Sequence, residues 1–310
     1  MWRKLILVVL ILAVLALAAL SVLTIPGSVP ASALAPRNAN LDNGRTMFWA
    51  GGCASCHATP KQEDKMQLGG GLALKSPFGT FHVPNISSDP EDGIGGWSEA
   101  QFVTAMLKGS ADGDHLYPAF PYTSYARMRL DDVRDLFAFL KTLPPVKSSV
   151  PDHELKFPFN IRRATGVWKL LFFDPMPFQP DPSKSEAWNR GAYLVNGPGH
   201  CAECHSPRNL LGGIIESQRF AGGPSPVSDD WIPNITPKGI GDYSEADIVE
   251  ILTTGTIPNG DSVGGPMAEV VRSTEKLSAE DRAAIATYLK SLPPIEGPKP
   301  PEKPKEPEQK

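Results

Sequence analysis

Two five-residue stretches, Cys53-Ala54-Ser55-Cys56-His57 and Cys201-Ala202-Glu203-Cys204-His205, constrain this 310-residue chain more than any other feature. Both have the form C-x-x-C-H, the attachment pattern for haem c. Each thiol can add across one vinyl group of the porphyrin, and the adjacent histidine is then held under the iron. The chain has four cysteines and the two motifs use all of them, so none is left for a disulfide or a catalytic thiol. Paired C-x-x-C stretches also build structural zinc sites, but those pairs sit far closer than the 148 positions from Cys53 to Cys201. A thioredoxin-like redox motif needs a βαβ setting, and neither copy has one. The motifs therefore predict two covalently bound haems c, attached at Cys53, Cys56, Cys201 and Cys204, with His57 and His205 as iron ligands.

The surroundings are duplicated as well. Asn85-Ile86-Ser87 returns as Asn234-Ile235-Thr236, and Gly93-Ile94-Gly95-Gly96-Trp97-Ser98-Glu99 as Gly239-Ile240-Gly241-Asp242-Tyr243-Ser244-Glu245. The ending Leu140-Lys141-Thr142-Leu143-Pro144-Pro145 returns as Leu289-Lys290-Ser291-Leu292-Pro293-Pro294, offset by 149. A repeat this long means tandem domains and not a solenoid. The predicted domains are 41–145 and 185–294. The periodicity predicts a helix from Leu41 to about Ala58, with Asp42 or Asn43 as cap, and a helix opened by the capping box Ser98-Glu99-Ala100-Gln101. A third, over 130–142, carries Val133, Leu136, Phe137 and Leu140 on one face. In the second half Trp188–Gly199 reads as the first helix. The Gly- and Pro-rich stretches 59–97 and 109–129 read as loops, long enough to wrap a cofactor. The fold class is mainly α.

The remaining segments set the compartment. Arg3 and Lys4 precede an uncharged run from Leu5 to Ile25, long enough to cross a bilayer as a helix. The basic end stays inside, so the haem domains face the periplasm from a single-pass anchor over 1–25 in the inner membrane. A cleaved signal peptide is the competing reading, with Ala33-Leu34-Ala35 as its cleavage site. Residues 26–40 read as a tethering spacer. Residues 146–184 hold too many aromatics for a plain linker and are expected to pack across the domains. Residues 295–310 read as a disordered Pro-rich tail. The net charge of −4 gives no support to nucleic-acid binding. The two domains carry −3 and −6 and the connector +2. An acidic face speeds encounter with a basic redox partner, though a charged surface also simply keeps a domain soluble.

A small helical shell with haem attached at its first helix is similar to class I cytochrome c, in which a methionine sulfur usually takes the opposite iron face. In the second half Met267 is the only methionine after residue 185 and lies in the Gly/Pro stretch Gly264-Gly265-Pro266-Met267. Met267 follows His205 by 62 residues, and a count of 63 from His57 lands on Phe120, which cannot ligate iron. For the first haem the candidate is Met128, with His115 as the alternative.

Longer stretches carry a more specific resemblance. Pro84-Asn85-Ile86-Ser87-Ser88-Asp89-Pro90, His115-Leu116-Tyr117-Pro118-Ala119-Phe120-Pro121-Tyr122 and Trp188-Asn189-Arg190-Gly191-Ala192-Tyr193-Leu194 resemble the cytochrome c subunits of bacterial membrane-bound alcohol, gluconate and aldehyde dehydrogenases. That resemblance implies a subunit that takes electrons from a periplasmic dehydrogenase and passes them to quinone, a cytochrome or an oxidase, with no independent catalysis. Those subunits usually carry three C-x-x-C-H motifs where this chain has two, and commonly methionine at Phe120. The competing reading is a dihaem enzyme of peroxidase or thiosulfate-oxidising type with an open first haem. No cysteine is spare for the axial thiolate of the thiosulfate-oxidising type.

Overall fold

A computed structural model describes residues 1–300, so Pro301–Lys310 of the expected tail lie outside the described residues. Within them the protein is mainly helical. Helix α1 (Trp2–Leu23) is followed by α2 (Leu41–Ala50), α3 (Cys53–His57) and the hairpin β1 (Ala73–Ser76) and β2 (Gly79–His82). Next come α4 (Glu99–Lys108), β3 (Ser110–Ala111), β4 (Asp114–His115), α5 (Tyr122–Tyr125) and α6 (Leu130–Leu140). The connector supplies β5 (Glu154–Leu155) and α7 (Ala164–Phe172). The second half contains α8 (Glu186–Asn196), α9 (Ala202–His205), β6 (Gly223–Pro224), β7 (Trp231–Ile232) and α10 (Pro237–Ile240). It closes with α11 (Glu245–Thr254), α12 (Pro266–Thr274) and α13 (Ala279–Lys290).

Each half is built on one helix crossing. α2 packs on α6 and α8 on α13. Glycine makes both crossings possible. A Cβ at Gly44 would come within 2.2 Å of the Asp135 carbonyl oxygen, and one at Gly191 within 1.9 Å of the Ala284 carbonyl oxygen. The expected capping box at Ser98 and Gln101 is present, and Ser244 and Asp247 form its counterpart on α11. Gly109 (φ 58°) and Gly255 (φ 81°) end those helices in the left-handed region, where a side chain would be strained. The repeated Asn-Ile-Ser/Thr has a shared task. Asn85 donates to the Val146 carbonyl (2.7 Å) and Asn234 to the Ile295 carbonyl (2.8 Å), each tying the chain beyond Leu-Pro-Pro back onto its own half.

Several expectations change. The first helix breaks into α2 and α3 at Gly51-Gly52, with Gly52 at φ 56°. Its cap is Asn40, which accepts from the Asn43 backbone, and not Asp42 or Asn43. The expected loops contain the β1–β2 hairpin and α5. The spacer is docked: Val29 donates to Thr104 (2.9 Å), and Arg37 pairs with the buried Asp135 at 2.7 Å. It has enough apolar and charged contacts to lie on α4 and α6 instead of hanging free. The start of the tail is held too, since Ile295 donates to Thr236 and Lys238 pairs with Glu296.

The connector touches both halves. β5 extends the hairpin by pairing with β2, Lys169 reaches the carbonyls of Lys108 and Gly109, and Trp168 donates to the Leu211 carbonyl at 2.9 Å. Beyond Arg3 and Lys4, α1 is apolar, with a mean hydropathy of 3.3 over 18 residues, and none of that stretch is covered by the rest of the protein.

Candidate haem sites

Both motifs sit on single helical turns, α3 and α9, that follow the first helix of their half. One turn brings the two thiols to the same side, and all four cysteines are free. Among the described residues no three histidine, cysteine or carboxylate side chains gather as for a metal ion.

The histidines are oriented alike. His57 Nδ1 is 2.8 Å from the Pro84 carbonyl oxygen, and His205 Nδ1 is 2.8 Å from that of Pro233. A carbonyl only accepts, so each Nδ1 carries the proton and each Nε2 keeps its lone pair. Hydrogen bonding at one ring nitrogen is what orients a metal-ligating imidazole and fixes its tautomer. Burial pulls His57 down to about 4 against the partial opposition of the Pro84 carbonyl, and lowers His205 for the same reason. Both rings are therefore neutral at pH 7.

Burial also pushes the thiols up: Cys53 to about 12, Cys56 to about 11 and Cys201 to about 12, with Cys204 raised as well. These surroundings are apolar, as a porphyrin needs. Leu68 and Ile94 stand buried in the first half where Phe220 and Ile240 stand in the second. The correspondence is set by hydrogen bonds: Gly70 donates to His57 and Gly222 to His205, at 2.9 and 2.8 Å. Donor set, tautomer and apolar walls all fit haem c.

The far sides differ. Leu116 donates to Gly109 at 2.8 Å and Val263 to Gly255 at 2.9 Å, which fixes the register between the halves. In that register Phe120 takes the place of Met267. Met267 lies in the first turn of α12, an unexpected helix, and is partly buried against the core. Met128 has another counterpart. It donates its N–H to Tyr125 as Leu277 does to Thr274, and it is 1% exposed where Leu277 is 6%. The first candidate distal ligand therefore stands at a core-packing position. The alternative, His115, is engaged elsewhere: its Nε2 lies 2.9 Å from the Thr24 carbonyl at the end of α1.

The two motifs meet across the junction of the halves, which their sequences do not announce. Ser55, at the third motif position, donates to the Glu269 carbonyl of α12 at 3.3 Å. Glu203, at the same position of the second motif, accepts from Thr123 (2.6 Å) and Ser124 (3.0 Å) of α5. Each motif thus rests on the segment preceding the last helix of the other half, an approximate two-fold arrangement. Burial opposes charge on Glu203, but Arg208 at 2.6 Å and the two hydroxyls outweigh it and hold the carboxyl below its usual range. His200 and Tyr125, neither singled out in the sequence, both contact the Gly51 carbonyl, and their rings meet edge to face at 5.7 Å.

The sequence is similar to those of known cytochromes. Residues 41–144 match the cytochrome c family. A dihaem cytochrome c-type protein of Cereibacter sphaeroides is 50% identical over 277 residues, covering 88% of this chain and 93% of the relative. The chain belongs to the dihaem c-type cytochromes. A nicotinate dehydrogenase subunit of Pseudomonas putida is 43% identical over 82% of this chain and 21% of its own length. The fructose dehydrogenase cytochrome subunit of Gluconobacter japonicus is 38% identical over 85% of this chain and 54% of its own. This cytochrome spans about a fifth and about half of those two dehydrogenase subunits. The resemblance drawn from its motifs, to cytochrome c subunits of dehydrogenases, holds.

Proposed function

We propose that this cytochrome is a membrane-tethered, periplasmic dihaem relay carrying electrons from a dehydrogenase to a respiratory acceptor. It has two tandem class I cytochrome c domains, 41–145 and 185–294. The observation that carries the reading is the meeting of two like-oriented C-x-x-C-H turns across one buried junction. When bound, each haem c supplies a one-electron iron couple. Cys53, Cys56, Cys201 and Cys204 would hold the groups covalently, and His57 and His205 would offer Nε2 to the irons while each Nδ1–H donates to the Pro84 or Pro233 carbonyl. Met267 would supply a thioether sulfur to the iron of the second haem, which would favour its reduced state. Ser55 on the Glu269 carbonyl of α12, and Glu203 on Thr123 and Ser124 of α5, tie each attachment turn to the opposite half.

The donor is a dehydrogenase of alcohol, aldehyde or sugar-acid type. The acceptor is a quinone, a cytochrome or an oxidase, and α1 is retained in the inner membrane. Haem-to-chain stoichiometry of two, with both haems reduced by a co-purifying dehydrogenase given its substrate, is the expected result. One haem per chain, or rapid substrate turnover by the cytochrome alone, would overturn the reading. A second reading draws on Phe120 in the place of Met267: a dihaem enzyme whose first iron is open. High-spin first-haem iron that binds peroxide would favour it.

A further inference from the structure

Helix α7 is amphipathic the wrong way round for a protein surrounded by water. Its Thr165, Gly166 and Lys169 are buried, while Leu170 and Leu171 are 51% and 62% exposed. Trp168 fastens a second apolar element beside it through the Leu211 carbonyl, at a turn where Leu210 is 98% exposed and Leu211 52%. Such a patch marks a surface that something apolar covers.

The occupant follows from where the patch lies. Arg163, the residue before α7, donates to the Ser21 carbonyl at 2.7 Å, and Gly166 packs against Thr24. α7 is therefore pinned to the last turn of α1. A 22-residue helix is about 33 Å long, close to the thickness of a bilayer's hydrocarbon core, so Ser21–Thr24 lie at its outer boundary. The patch cannot be far from that boundary. Arg163 stands exposed directly before α7, a cation of the kind anionic headgroups attract, and Trp168 suits the interface.

We propose that the outer face of α7 and the Leu210–Leu211 turn lie in the headgroup–acyl boundary of the bilayer, as a second membrane contact beside α1. Resting on the reading of α1 as a retained anchor, it fixes the tilt of the haem domains, which a single helix leaves free.

The test uses the full chain in phosphatidylcholine–phosphatidylglycerol vesicles containing a phospholipid with a photoreactive group near the acyl carbonyl. Labelled peptides are mapped by mass spectrometry. Label is expected on 164–172 and 208–212 as well as on α1. In Leu170→Asp/Leu171→Asp/Leu210→Asp, label on those two peptides should fall about tenfold while α1 labelling and the haem spectrum stay unchanged. Labelling of α1 alone would overturn the proposal while leaving the anchor reading intact. No labelling anywhere would remove the anchor reading and this proposal with it. Protection of 164–172 only by a bound dehydrogenase, with no lipid label, would assign the patch to that protein and overturn the proposal.

Discussion

At the scale of single residues the two motif histidines share one setting, while Phe120 stands in the register that Met267 takes in the second half. Met267→Leu should abolish the methionine–iron charge-transfer absorption and lower the potential of one haem, because Met/His ligation favours reduced iron. Met128→Leu should leave the spectrum of both haems unchanged, since Met128 stands in the place of Leu277. A spectral change in Met128→Leu would return it to the iron. His115 makes a pH-dependent contribution. Burial lowers its folded value, so folding keeps it neutral, and stability is lost as pH falls below the ordinary histidine value of about 6.5. Denaturant unfolding between pH 7 and 5 should show a shallower pH slope in His115→Asn than in the parent.

At the scale of elements, the helix crossings bear the fold. Gly44→Ala or Gly191→Ala forces a methyl into the carbonyl of the opposing helix and should cost about 2–3 kcal/mol by overpacking. Gly264→Ala meets open space and should be nearly neutral in the same denaturation series. The long helices were legible because hydrophobic spacing and capping boxes act locally, and α4 and α6 follow from them. Short elements were not. The β1–β2 hairpin, α5 and α12 have little local signal and form where neighbouring segments supply their partners. The break between α2 and α3 could be read in Gly51-Gly52 only once the crossing with α6 was known.

At the scale of the whole molecule, the junction of the two motifs decides whether the halves act together. Glu203→Ala should leave the partly buried Arg208 without its carboxylate and the Thr123 and Ser124 hydroxyls without their acceptor, at a cost of about 2 kcal/mol. Glu203→Gln keeps acceptors for Thr123 and Ser124 and should cost less. Denaturant unfolding read at each half separately should show the two transitions drawing apart in Glu203→Ala. The mainly α class, the repeated stretches and the motif residues were all readable in order along the chain, because helical periodicity and the five-residue C-x-x-C-H motif are local patterns. The docking of the spacer, the hold on Ile295, the displacement of Met128 from Met267's register and the seating of Ser55 and Glu203 on the opposite halves were not. Each joins residues about 60 to 220 positions apart or compares the register of two halves through insertions of unequal length. Contacts of that kind arise only when packed helices choose among many possible neighbours, and nothing in a local stretch of chain encodes the choice.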